Sequence, residues 1–323
     1  MEITEKNIKM WSIIGPRATV GLAALDLAKN IKNLMVLTCD VSTSAGLDRY
    51  RKTFPEKYLD LGIAEQNMIG VAAGLASENF KVITTTFAPF QTMRCCEQIK
   101  VNLGYMKQKV CMIGIASGLV LGNLGYTHCC IEDIGILRSI PNLTIISPAD
   151  SLETVKAIES ALNHNQSVYI RITGSANNPM VYKKDYSFEI GKSLTMKEGE
   201  DVVIFSSGSM VSESIEASTQ LEKENIKCKV VNVHTIKPIN SKEIINHIKN
   251  KKLILTVEEH NIIGGLGSAI SEIISSIEIK AKLVRLGIND QYDKGGSYNY
   301  LKDKNGLNFK KIVYDILKNL NVK

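Results

Sequence analysis

The sequence predicts an α/β protein of two domains, each a mainly parallel sheet flanked by helices. Short apolar runs rich in β-branched residues alternate with longer amphipathic stretches, which is the pattern of parallel βαβ units. The alternation stops once, at GSANNPMVYKKD over residues 174–185, and then resumes. The 323 residues are 44% hydrophobic and 22% charged, enough to build two ordinary cores in a folded protein.

The elements follow in order. A helix over 18–31 precedes a strand at 35–38, and a second helix spans 65–78. Strands are expected at 82–86, 110–114, 143–147 and 168–172, with a helix at 151–163 before the last. Ser147-Pro148-Ala149-Asp150 stands ahead of that helix as its cap. Turn formers and charges without a period make 174–185 a linker. Strands at 202–206, 229–233, 253–257 and 282–286, separated by helices, give the second domain. The boundary falls near residue 180, so we divide the chain into 1–178, a linker 179–192, and 193–323. There is no short tandem repeat and no low-complexity tract.

Composition excludes several classes. No apolar run reaches membrane-spanning length, and the N-terminal MEITEKNIKMW carries charges where a signal peptide needs an apolar stretch, so the expected location is the cytoplasm. A net charge of +6 is modest, and the lysines near 249–252 and 302–311 are not interleaved with aromatics. They read as solvated faces and turns, with no nucleic acid as partner. Seven cysteines lack a zinc-like CxxC pairing. The vicinal pairs Cys95-Cys96 and Cys129-Cys130 meet disulfide geometry poorly, so reduced, buried thiols are expected.

The richest stretch is LGIAEQNMIGVAAGLA at 61–76. Glu65 opens a helix whose Ala72, Ala73, Gly74 and Ala76 permit close packing, so the acid sits at the edge of a core. An acid in the first turn is ordinarily a cap favoured by the helix dipole. Downstream, TFAPF at 86–90 places Phe87 and Phe90 three residues apart after a strand. RCCEQI at 94–99, GYTH at 125–128, IEDIG at 131–135 and RSIPN at 138–142 follow. Taken singly, each is weak: a histidine after a glycine-rich loop is more often structural, and paired phenylalanines are more often core.

In this order and spacing the segments resemble the pyrimidine-binding domain and C-terminal domain of the transketolase family. The likeness is to the split form, encoded as two chains, of which this would be the C-terminal section. It runs through nearly the whole chain, as far as TVEEH at 256–260 and GGLG at 264–267, with GIAEQNMIGVAAGLA and LRSIPNLTIISPAD carrying most of it. Deoxyxylulose-phosphate synthases and the β chains of 2-oxo-acid dehydrogenases share the architecture.

The resemblance implies thiamine diphosphate and Mg2+ as cofactors. Glu65 would hydrogen-bond a pyrimidine nitrogen and favour the imino tautomer that helps deprotonate the thiazolium carbon, a role suited to a buried glutamate of raised pKa. Phe87 and Phe90 would pack on the pyrimidine face. Met93 stands where many members carry an aromatic, and Asp40 lies near the cofactor without ligating metal. His128 would contact sugar oxygens and assist proton transfer as a second catalytic residue. Arg17 and Ser44 match positions facing a substrate phosphate, and Arg171 lies close to a third such position. Family members bind the metal through a GDG motif followed by asparagines, and no GDG occurs here. An N-terminal-type chain is therefore expected to carry the metal site, with the cofactor at the interface of an α2β2 heterotetramer.

Three positions depart from the family. Leu124 takes the place of a substrate-reading aspartate, Ala116 that of a histidine, and Gly174 that of the phosphate-binding arginine. Losing charge-assisted anchors weakens phosphate binding, unless Arg17, Arg171 or the partner compensates. The expected reaction is transfer of a two-carbon ketol unit from a ketose to an aldehyde, with at least one substrate unphosphorylated, deoxygenated or nucleotide-borne. The alternatives are a decarboxylating enzyme acting on pyruvate or another 2-oxo acid, and a non-catalytic companion chain. Glu258-Glu259-His260 and the glycine-rich 264–267 segment read as part of an assembly domain, although such a turn can also cradle phosphate.

Overall fold

The computed structural model describes residues 1–321. Among the described residues twelve strands form two sheets. The first seven are β1 (Leu34–Thr38), β2 (Tyr58–Asp60), β3 (Lys81–Phe87), β4 (Val110–Ile115), β5 (Leu143–Ile146), β6 (Ser167–Arg171) and β7 (Leu194–Lys197). They are followed by β8 (Val202–Ser206), β9 (Cys228–Asn232), β10 (Thr235–Lys237), β11 (Leu253–Asn261) and β12 (Lys282–Ile288). The sheet orders are β10-β5-β6-β4-β3-β1-β2 and β12-β11-β8-β9-β7. Every pairing is parallel except β10 with β5 and β7 with β9. The α/β architecture with two mainly parallel, helix-flanked sheets is thus present.

Local sequence explains the central strands. β4, β5, β6 and β8 are buried along their whole length, as strands covered by helices on both faces must be. The Asp150 carboxylate accepts from Glu153 N at 2.9 Å and caps helix Ser151–Ala161, as the sequence predicts. Three short strands, β2, β7 and β10, are not anticipated. β10 belongs to the second half of the chain yet completes the first sheet, pairing Thr235 with Ile146. One buried cluster accordingly runs from Met68 and Leu137 to Val231, Ile236 and Ile254, joining the two sheets. Among the described residues no helix is long and apolar enough to cross a membrane.

The segment between β6 and β7 has no regular structure, but it is pinned. Val181 and Tyr182 donate their N–H groups to the second Asp150 oxygen, and the Tyr186 hydroxyl donates to Glu153. Burial pushes the Asp150 carboxyl up to about 6, against the pull of these donors. Tyr182 and Tyr186 stack at 4.0 Å between ring centroids.

A buried ion pair ties the first sheet to the second. Arg171, the last residue of β6, is 2% exposed, and Asp133 at the start of helix Asp133–Arg138 is 0% exposed. Arg171 Nε donates to both Asp133 oxygens at 2.9 and 3.0 Å. Its Nη2 donates to the carbonyls of Cys130 and of Glu259 in β11, and the Tyr169 hydroxyl donates to Asp133. Removing one partner strands a buried charge, which costs roughly 3–5 kcal/mol. We therefore expect Arg171→Met to lower unfolding free energy by about that amount in urea titration; a loss under about 1 kcal/mol would contradict the assignment.

Candidate active site

The candidate residues gather at the carboxyl ends of β1, β3 and β4, the edge at which open parallel sheets hold ligands. Phe87 is the last residue of β3, and Phe90 sits in the short helix Ala88–Gln91 that follows. His128 arrives on the long loop after β4. The three rings form one cluster: Phe87 to Phe90 is 6.3 Å between centroids, Phe87 to His128 is 6.2 Å, and Phe90 to His128 is 5.3 Å. All three pairs meet edge to face, the arrangement the ring quadrupole favours. The His128 Nδ1 lies 3.0 Å from the Thr127 hydroxyl.

Glu65 reaches the cluster through Arg94. It is the first residue of helix Glu65–Ser77, whose N-cap, Ala64, offers no side-chain acceptor. The carboxylate is 3% exposed and accepts from Arg94 Nη1 at 2.8 Å. The Arg94 guanidinium in turn lies over the Phe90 ring, 4.0 Å from its centroid. Glu65, Arg94, Phe90, His128 and Phe87 thus form a continuous chain of contacts. Arg94 carries no role in the sequence reading. Its place four residues beyond Phe90, across a turn, is the signal that could have found it.

The other predicted residues divide. Asp40 and Met93 are both exposed, Met93 at 38%. Asp40 has a left-handed φ of 56°, and its N–H donates to Asp60, which also accepts from Gly62. These bonds brace the loop leading to Glu65. Arg17 and Ser44 occupy adjacent segments: helix Pro16–Asn30 carries Arg17, and the turn bearing Ser44 packs against it so closely that a Cβ on Gly21 would lie 1.9 Å from the Gly46 carbonyl oxygen. Burial lowers the Arg17 pKa, and among the described residues its side chain has no hydrogen-bond or ion-pair partner. Arg171 is not brought to the site. Its guanidinium is sealed between the sheets against Asp133, so a substrate role for it is corrected to a structural one.

The departing positions have distinct settings. Ala116 is 1% exposed with φ 54°, whereas Leu124 is 56% exposed beside the His128 loop. Gly174 has φ 85°, and a Cβ there would come within 2.4 Å of Asn178 Oδ1. The left-handed backbone favours glycine at that position.

The loop bearing His128 is braced by the second half of the chain. Gly118 and Cys130 exchange backbone hydrogen bonds, and Leu119 N donates to Glu259 Oε1 at 2.7 Å. The same carboxylate accepts from the Ser209 and Tyr298 hydroxyls. Gly296 N donates to the Gly122 carbonyl, and Tyr126 packs on Tyr292 at 5.1 Å. The buried Glu259 therefore fixes where the histidine loop begins.

Comparison with known proteins gives a consistent result. The transketolase pyrimidine binding domain family matches residues 14–178, and the transketolase C-terminal domain family matches 191–312. The 6-deoxy-6-sulfo-D-fructose transketolase subunit of Clostridium sp. (strain MSTE9) is 34% identical, over 90% of this chain and 89% of its own. One of the subunits of the apulose-4-phosphate transketolase of Actinobacillus succinogenes is 34% identical, over 92% of this chain and 95% of its own. A solved structure described as a split gene transketolase, inactive beta4 tetramer, superposes with a TM-score of 0.85 at 34% identity, covering 96% of this chain and 99% of that one.

Gly118 has φ 69°, and a Cβ there would fall 2.3 Å from Glu259 Oε1. We expect Gly118→Ala to cost about 2 kcal/mol or more through backbone strain and overlap, measurable as a lowered Tm. An unchanged Tm would show that Glu259 does not hold the loop.

Proposed function

The chain belongs to the transketolase family, and on that premise we propose that it is the catalytic subunit of a thiamine-diphosphate enzyme built from two kinds of chain. The reaction is transfer of a two-carbon ketol unit from a ketose to an aldehyde acceptor. The observation that carries this reading is the buried Glu65 carboxylate beside the Phe90 face, in contact through Arg94 and Phe90 with His128. A planar guanidinium already lies on Phe90 and bonds Glu65, so the site fits a flat, hydrogen-bonding ring such as the aminopyrimidine.

When bound, thiamine diphosphate supplies a nucleophilic carbon able to cleave and form bonds next to a carbonyl. The protein's part is then separable into roles. Glu65 holds a proton against the pyrimidine nitrogen and fixes the tautomer. Phe87 and Phe90 orient the ring and exclude water from it. His128, supported by Thr127, steers protons on substrate oxygens. Asp40 and Met93 line the rim of the cofactor pocket, while Arg17 and Ser44 form an outer anchor for the substrate. The half-buried cation at Arg17, without a partner among the described residues, suits an anionic group there.

We assign Mg2+ and its ligands to an N-terminal-type partner chain in the cytoplasm, with two copies of each chain in the assembly and the cofactor between them. The pyrimidine domain is taken as 1–178 and the C-terminal domain as 193–323. Relatives named for sulfofructose and apulose phosphate support ketol transfer on sugars outside the ordinary pair of substrates. Gly174, Ala116 and Leu124 favour the same reading, since each gives up a polar anchor.

Steady-state kinetics of this chain with its GDG-bearing partner tests the proposal. We expect ketol transfer from an unphosphorylated or otherwise modified ketose, with xylulose 5-phosphate and ribose 5-phosphate turned over at least about tenfold less efficiently, the scale of one lost charge-assisted bond. Efficient turnover of that ordinary pair would overturn the substrate assignment. Carbon dioxide release from pyruvate would instead place the chain with the decarboxylating branch.

A further inference from the structure

We propose that Arg94 is a resident stand-in for the cofactor's pyrimidine ring, lying on Phe90 and bonded to Glu65 until thiamine diphosphate displaces it. The inference rests on the reading of the site given above. A guanidinium is planar and delocalised, stacks on aromatic faces and donates in its own plane. Arg94 uses both properties at once: its carbon lies 4.0 Å from the Phe90 centroid, and Nη1 is 2.8 Å from Glu65 Oε2. An aminopyrimidine stacked on Phe90 and bonded to Glu65 would make the same two contacts. Phe87 and His128 meet Phe90 edge to face, so Arg94 is the group that lies over the ring.

The asymmetry of the pair makes displacement feasible. Glu65 is 3% exposed and fixed at a helix start, whereas the Arg94 side chain is 40% exposed. The Arg94 backbone is held, because Gln66 Nε2 donates to its carbonyl at 3.0 Å. Only the side chain has to swing, out of a cleft lined by Ile63, Ala64, Asn67 and Glu65. Before the cofactor arrives, the guanidinium compensates a carboxylate that would otherwise be buried without a partner. The consequence is a resting state that is stable but competes with the cofactor. Apparent affinity falls by the fraction of molecules in which Arg94 is stacked inward.

Calorimetric titration of the assembled pair with thiamine diphosphate and Mg2+ tests this, beside thermal melts of the cofactor-free pair. Arg94→Met removes the charge and the plane. It should lower the cofactor-free Tm and bind thiamine diphosphate about fivefold more tightly, the summed scale of a partly exposed ion pair and a cation–π contact. Arg94→Lys keeps the charge without the planar fork and should also bind more tightly than wild type, by a smaller factor. It carries the test if the methionine variant does not fold. Equal or weaker binding by the folded variants, with the wild-type pair binding normally, overturns the stand-in role alone. Absence of binding by the wild-type pair overturns both this inference and the reading of the site.

Discussion

The Arg171–Asp133 pair is the interaction on which the rest of the arrangement depends. Two charges removed from water are costly, and their attraction offsets that cost only when the remaining donors and acceptors are satisfied. Here Tyr169 completes the aspartate, and the carbonyls of Cys130 and Glu259 complete the arginine. Those carbonyls belong to the end of the histidine loop and to β11 of the second sheet. The pair therefore fixes three things together: the end of β6, the start of helix Asp133–Arg138 and the position of β11. Glu259 extends the control to the other end of the loop through Leu119.

With both ends fixed, the loop delivers His128 to two phenylalanines that β3 and its following turn hold in place. Glu65 is held independently, by the helix it opens and by the Asp60 brace beneath it. The site is thus built from two rigid supports, one on each side of the aromatic cluster. Arg94 spans the gap between them through the two forces available to a planar cation. Each contact is modest by itself, but the two share one geometry.

Much of this is legible in the sequence, and the failures have physical causes. The long buried strands declare themselves by continuous apolar, β-branched runs, and Asp150 declares its helix. β2, β7 and β10 have three or four residues each, too few for a period to show. The crossing of β10 into the first sheet is a tertiary event that no local pattern records. Glu65, Phe87, Phe90 and His128 stand out because several motifs occur in order, and the structure does bring them together. Arg171 misleads because nearness to a strand end in sequence says nothing about side-chain direction. It points into the junction, where Asp133 waits 38 residues away in sequence. Gly174 likewise reads as a lost anchor, and the structure adds that its left-handed backbone and the nearby Asn178 side chain disfavour a larger residue there.

On the proposed function, Glu65 would govern the proton chemistry of the bound cofactor. The direct measurement is the rate of hydrogen–deuterium exchange at the thiazolium carbon of thiamine diphosphate, followed by NMR in the pair assembled with wild-type or Glu65→Gln chains. Loss of the carboxyl is expected to lower the rate at least about a hundredfold, the lower end of what a positioned acid–base group contributes, with the cofactor still bound. An exchange rate within a factor of about two of wild type, on fully loaded protein, would contradict it.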